Sequence, residues 1–139
     1  MKKLPPLHPN QFKVNEAWIA FQLNDEPIHT EQDGSFDIVC LMDAATCYIL
    51  GNAFVPLGES EPSEFDAHRL LKDGWAHNKQ FPQMLFFPKG QFKKTFPAVA
   101  KRQDISVISV TEKQLLVFID EARQGFKKHI QRNTDLPPI

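Results

Sequence analysis

The chain has 139 residues, with 16 Lys+Arg against 17 Asp+Glu and a net charge of −1, the balance of one ordinary globular domain rather than of a disordered or fibrous chain. A fold of this length removes roughly 68% of its unfolded surface from water, so one core needs neither disulfides nor a structural metal, and two separately cored domains are not expected. No apolar run reaches the ~18 residues of a membrane span, and Pro5, Pro6 and His8 stand where a signal peptide would be apolar; a cytoplasmic protein outside the membrane is expected.

Residues 1 to 13, with Pro5, Pro6 and Pro9, read as an extended arm. Residues 14 to 132 then form a single domain. Ala17 to Leu23 carries Trp18, Ile19, Phe21 and Leu23 and predicts a strand. After a polar stretch closed by Asp33 and Gly34, the almost wholly apolar run Phe36 to Met42 predicts a strand covered on both faces. A turn at Asp43 to Thr46 leads into a third strand, Cys47 to Val55, completing a meander. Cys40 and Cys47 thus fall on adjacent strands, as buried apolar thiols rather than a redox pair or metal ligands.

From Ser60 to Lys79, the spacing of Ala67, Leu70, Leu71 and Trp75 predicts a helix, capped by Ser60 or Ser63 and weakened near its end by Gly74. Gln83 to Phe87 predicts a short buried strand, and Pro97 fits as the first residue of a short helix through Ala100. Ile105 to Val110 is β-branched enough for a strand. Thr111 and Gln114 form a capping box, after which Leu115, Phe118, Ile119, Ala122, Phe126 and Ile130 trace one face of a closing helix. Residues 133 to 139, with Pro137 and Pro138, make a tail that cannot continue it.

The order is therefore βββαβαβα, an α/β chain in three layers with a mixed five-stranded sheet. This order resembles the ribonuclease-H-like fold over residues 14 to 131. Local phrases sharpen the resemblance toward retroviral-type integrase and transposase catalytic cores. Trp18 begins a run similar to their first strand, and Ile38 to Leu50, with Asp43 before the turn, looks like their second and third. Pro82 to Phe92, with Phe87-Pro88-Lys89-Gly90 inside it, resembles the segment that carries their second catalytic aspartate.

That resemblance implies carboxylates holding two divalent cations, which need hard oxygen ligands. Position by position, the first aspartate falls at Phe21 or Gln22 and the second at Phe87 or Pro88. Glu121 alone could match the third. The chain is therefore read as non-catalytic, with no catalytic residue, no metal and no cofactor; Asp43 and Glu121 are the weak metal candidates. A different centre built from Asp33, Asp37 and Asp43 competes with turn chemistry, which favours aspartate at such positions. Asp73 and His77, at i and i+4, suggest a surface pair. No nucleophile elbow or glycine-rich phosphate loop is present.

Charge is uneven: residues 89 to 139 hold 10 Lys+Arg and 5 Asp+Glu, a local +5. Lys89, Lys93, Lys94, Lys101, Arg102, Lys127, Lys128 and Arg132 could track phosphates while Phe92 and Phe96 stack on bases. The alternative is that the two phenylalanines anchor a helix and the cations form its wet face. The partners expected are another protein, a second copy of the chain, or nucleic acid.

Overall fold

A computed structural model describes residues 6–24, 28–31, 34–59, 61–92 and 94–134, the stretch 127–134 by its backbone alone. The sheet is built around β1 (Ala17–Gln22). A three-residue strand, β2 (Ile28–Thr30), follows it, and then comes the ten-residue β3 (Gly34–Asp43). β3 runs antiparallel to β1, with Trp18 opposite Asp43 and Gln22 opposite Val39. β4 (Ile49–Pro56) lies antiparallel on the far side of β3. On the other side of β1, β5 (Met84–Pro88) and then β6 (Ser106–Val110) add in parallel.

The sheet thus has six strands where five were expected. Phe36 of β3 faces Ile28 on one side and Pro56 on the other, so β2 prolongs the line of β1 instead of adding an edge. Three residues are too few to show a period of two in sequence; the long exposed side of β3 supplies their partner.

Alternation along the strands separates two cores. On one face, Trp18, Ala20, Leu41 and Leu85 pack beneath α1 (Glu64–Asn78) and α2 (Thr95–Lys101), through Leu70, Leu71, Phe96 and Val99. On the other, Ile19, Phe21, Cys40, Met42 and Phe86 meet Leu115, Phe118 and Ile119 of the closing segment. There the expected capping box forms, Thr111 accepting from the Gln114 N–H and Gln114 accepting from the Thr111 N–H. It opens a 3₁₀ turn, Glu112–Leu115, which runs into α3 (Leu116–Thr134). α3 continues through residue 134, two residues into the expected tail; residues 135–139 lie outside the described residues, as does the Ile130 side chain.

Local differences have physical causes. Ser63 caps α1 by accepting from the Asp66 N–H; Ser60 lies outside the described residues. The buried stripe of α1 is closed by Gly74 rather than Trp75, which is 37% exposed beneath the Lys79 ammonium. Pro97 is the third residue of α2, not the first, because every N–H in a first turn lacks an intrahelical acceptor and proline is tolerated throughout it. Cys47 does not open β4: it sits in the preceding turn with φ +59°. The arm is docked. Leu7 donates its N–H to the Gln114 carbonyl at 2.9 Å, and the Phe12 ring lies 5.7 Å from that of Phe86.

Candidate functional site at the carboxyl ends of β1 and β5

In parallel and mixed sheets the carboxyl ends of the central strands are where ligands and catalytic groups gather. Here that place is where β1 runs out at Gln22 and β5 at Pro88. Phe21 is fully buried in the core beneath α3, and Phe87 is buried beneath α1. Pro88, which shares the α3 face with Phe86 by alternation, is buried as well. Gln22 is half-buried, its N–H donating to Gln91 Oε1 at 2.8 Å and its Nε2 donating to the Asn24 carbonyl at 2.9 Å. Asn24 Nδ2 donates to Asp37 Oδ1 at 3.0 Å, while its own Oδ1 accepts the Ile38 N–H at 2.7 Å. The recess between Gln22, Asp37, Glu59 and Gln91 is about 20 Å³, room for about one water molecule.

Beside the carboxylates of Asp37 and Glu59, this end of the sheet carries a cation. Arg123, on α3, donates its Nε to the Leu23 carbonyl at 3.2 Å and an Nη to the Gln22 carbonyl at 3.1 Å, and pairs with Glu112 at 3.1 Å. It satisfies carbonyls that the ladder abandons where β1 stops. No local pattern in the sequence singles out Arg123. A longer-range signal exists: Glu112 and Arg123 stand eleven residues apart, close to three helical turns, hence on one face.

Glu121 also lies on α3. It is exposed, and its charge reaches Cys47, whose thiol is pushed up first by burial and then by Glu121 and Asp43. Cys47 belongs to the turn beside Asp43, which pairs with Trp18 at the start of β1. Asp43 is buried there and accepts from the Asn15 N–H at 2.7 Å, the Thr46 N–H at 3.0 Å and the Thr46 hydroxyl at 2.9 Å. Asp37 and Asp43 are six residues apart on one strand, so their Cα atoms are about 20 Å apart and cannot share an ion. Asp33 is outside the described residues. Among the described residues no three His, Cys, Asp or Glu side chains cluster so as to hold a metal ion.

The remaining candidates are dispersed. Asp73 pairs with Arg69 at 3.6 Å, and His77 sets its ring against Tyr48, so these two do not form the expected pair. Phe92 and Phe96 are buried and stack on each other with ring centres 5.3 Å apart; they anchor α2 and offer no face to a base. Arg102 pairs with Glu64 at 2.8 Å, which holds that carboxyl below its ordinary range. Lys89, Lys94 and Lys101 are exposed. Lys93 is outside the described residues, as are the side chains of Lys127, Lys128 and Arg132. No helix among the described residues is long and apolar enough to cross a membrane.

No protein-family profile and no curated protein sequence matches the chain. Solved structures do. The catalytic core of BIV integrase is similar over 89% of this chain and 75% of that one, at a TM-score of 0.54 and 11% identity. The HTLV-2 integrase catalytic core, solved in complex with magnesium, is similar over 98% of this chain and 80% of that one, at 0.54 and 9%. A chain of the simian T-cell lymphotropic virus intasome, solved in complex with the PP2A regulatory subunit B56 gamma, is similar over 98% of this chain at 0.51 and 13%; the present chain spans 46% of its length. At these identities the likeness concerns the fold, and it agrees with the layers and strand order described above: the chain has the ribonuclease-H-like α/β fold of integrase catalytic cores.

Proposed function

We propose that this is a non-catalytic ribonuclease-H-like domain that works by binding, to another protein or to a second copy of itself. The observation that carries the reading is Arg123 at the carboxyl end of β1, where the residues matched by the resemblance to the two aspartates are Phe21 or Gln22 and Phe87 or Pro88. Two-metal chemistry requires anionic oxygens converging on one point. A guanidinium held there by two carbonyls and Glu112 opposes divalent cations, the Asp37 carboxylate at this end is engaged by Asn24, and none of Phe21, Gln22, Phe87 and Pro88 is a carboxylate. Glu121 is an exposed residue of α3. The intasome neighbour, solved with a protein subunit bound, is in keeping with a protein partner.

The test is cleavage. Purified protein mixed with Mg²⁺ or Mn²⁺ and labelled single- and double-stranded DNA and RNA should leave every substrate intact. Metal-dependent cleavage that disappears in the Glu121→Gln variant, a change on an exposed side chain, would overturn the reading.

The second reading is a nucleic-acid-binding accessory module, favoured by exposed Lys89, Lys94 and Lys101 within the +5 segment. With Phe92 and Phe96 buried against each other, such binding would rest on phosphate contacts without base stacking. The salt dependence of binding distinguishes it.

A further inference from the structure

The two edges of the sheet are finished differently. On β4 the edge is blunted: Pro56 has no N–H, the pairing with β3 is irregular between Leu41 and Met42, and Arg69 donates to the Asn52 carbonyl at 3.3 Å. β6 carries none of these devices. Its five residues, Ser106-Val107-Ile108-Ser109-Val110, contain no charge and no proline, and their pairing with β5 is unbroken. Among the described residues no strand pairs with its outer side, and an unprotected edge templates further strands.

The direction of the free groups follows from the hydrogen bonds. Ser106 donates its N–H to the Gln83 carbonyl, and the Val110 carbonyl accepts from the Lys89 N–H. Residues 106, 108 and 110 therefore turn their backbone groups toward β5, and by alternation Val107 and Ser109 turn theirs outward. Ile108, paired with Phe86, projects on the α3 side and is 36% exposed. Leu116 and Val117, in the first turn of α3 soon after β6 ends, are 40% and 42% exposed.

We propose that β6 is a self-pairing edge through which two copies of this chain join antiparallel into one continuous sheet; this deepens the binding reading above and rests on it. The segment is complementary to itself about Ile108. In that register Val107 of each copy faces Ser109 of the other as a hydrogen-bonded pair, so the outward N–H and C=O groups of both residues are satisfied twice over, in four bonds. Ile108 then meets its own counterpart in the closer, non-hydrogen-bonded pair, about 4.5 Å between Cα atoms. Within the five residues no like charges meet. The contact is small by the standard of stable interfaces, so the dimer depends on concentration.

Sedimentation equilibrium over a range of concentrations tests this. Wild type should pass from monomer to dimer. Val107→Pro removes an outward N–H that β5 does not use, and Ile108→Lys places a charge on the edge; each should weaken dimerisation at least ~10-fold with an unchanged far-UV spectrum. Ile108→Cys should give an oxidised covalent dimer that wild type does not, since the facing Cα atoms lie within disulfide reach. A wild type monomeric throughout, a dimer indifferent to both edge variants, or no cross-link through residue 108 would overturn the proposal. None of these results bears on the absence of cleavage, so failure of the edge and failure of the non-catalytic reading are separately visible.

Discussion

Gly74 shows how one residue's environment reverses its ordinary effect. In an open helix Gly→Ala gains about 1 kcal/mol. Here a Cβ would stand 2.7 Å from the Trp18 ring, which is fully buried and pinned by donation from Nε1 to Asn15 Oδ1 at 2.8 Å. The ring cannot retreat, so Gly74→Ala is expected to lower stability by roughly 1 to 3 kcal/mol, as overpacking does, measured by urea denaturation. Cys40 is equally controlled by its surroundings: burial pushes its thiol up to about 12, against 9.0 when free. Its folded pKa is raised, so the associated stability is complete below about pH 9 and is lost as pH rises toward 12, where the unfolded thiol ionises and the folded one does not. In native protein at pH 8 a thiol reagent should label Cys47 slowly and Cys40 not at all, whereas both should react in denaturant; native labelling of Cys40 would contradict the packing.

Among the elements, α3 has one buried face and one exposed one. Phe118 and Ile119 are fully buried, Ala122 and Phe126 are partly covered, and Glu121 is exposed. Phe118→Ala should therefore cost roughly 3 to 5 kcal/mol through lost contact and the cavity left behind. Glu121→Ala should change stability by less than about 0.5 kcal/mol. Paired denaturant melts, with and without Mg²⁺, decide both points: a larger loss from Glu121→Ala, or stabilisation by Mg²⁺ of wild type alone, would assign Glu121 a metal-binding role. α2 shows the opposite dependence. Lys94, at its N-cap, makes no side-chain capping bond, and Glu61 supplies the acceptor instead, taking the N–H groups of Lys94 at 2.9 Å and Phe96 at 2.8 Å.

For the molecule as a whole, the uneven charge gives the deciding measurement between protein and nucleic-acid partners. If Lys89, Lys94 and Lys101 contact duplex phosphates, the logarithm of the binding constant should fall with the logarithm of salt with a slope near −0.9 per phosphate neutralised, about −3 for the three. Under the leading reading, fluorescence anisotropy with labelled duplex shows no binding at low salt. A steep slope that Lys89→Ala reduces by about one would move the assignment to nucleic acid.

The order of elements, the two faces of the sheet, Ser63 and Thr111 as caps and the buried stripe of the closing helix were legible in sequence, because each is set by side-chain chemistry repeating within a few residues. Tertiary structure alone decided which α3 residue faces the end of β1, since Arg123 and the Leu23 carbonyl are 100 residues apart. It likewise decided that Glu61 caps a helix beginning more than thirty residues later, that β2 pairs with β3, and that Gly74 rather than Trp75 meets the core. These outcomes depend on how helices rotate and strands align when packed against one another, and a local pattern specifies that a face is buried without specifying what lies opposite it.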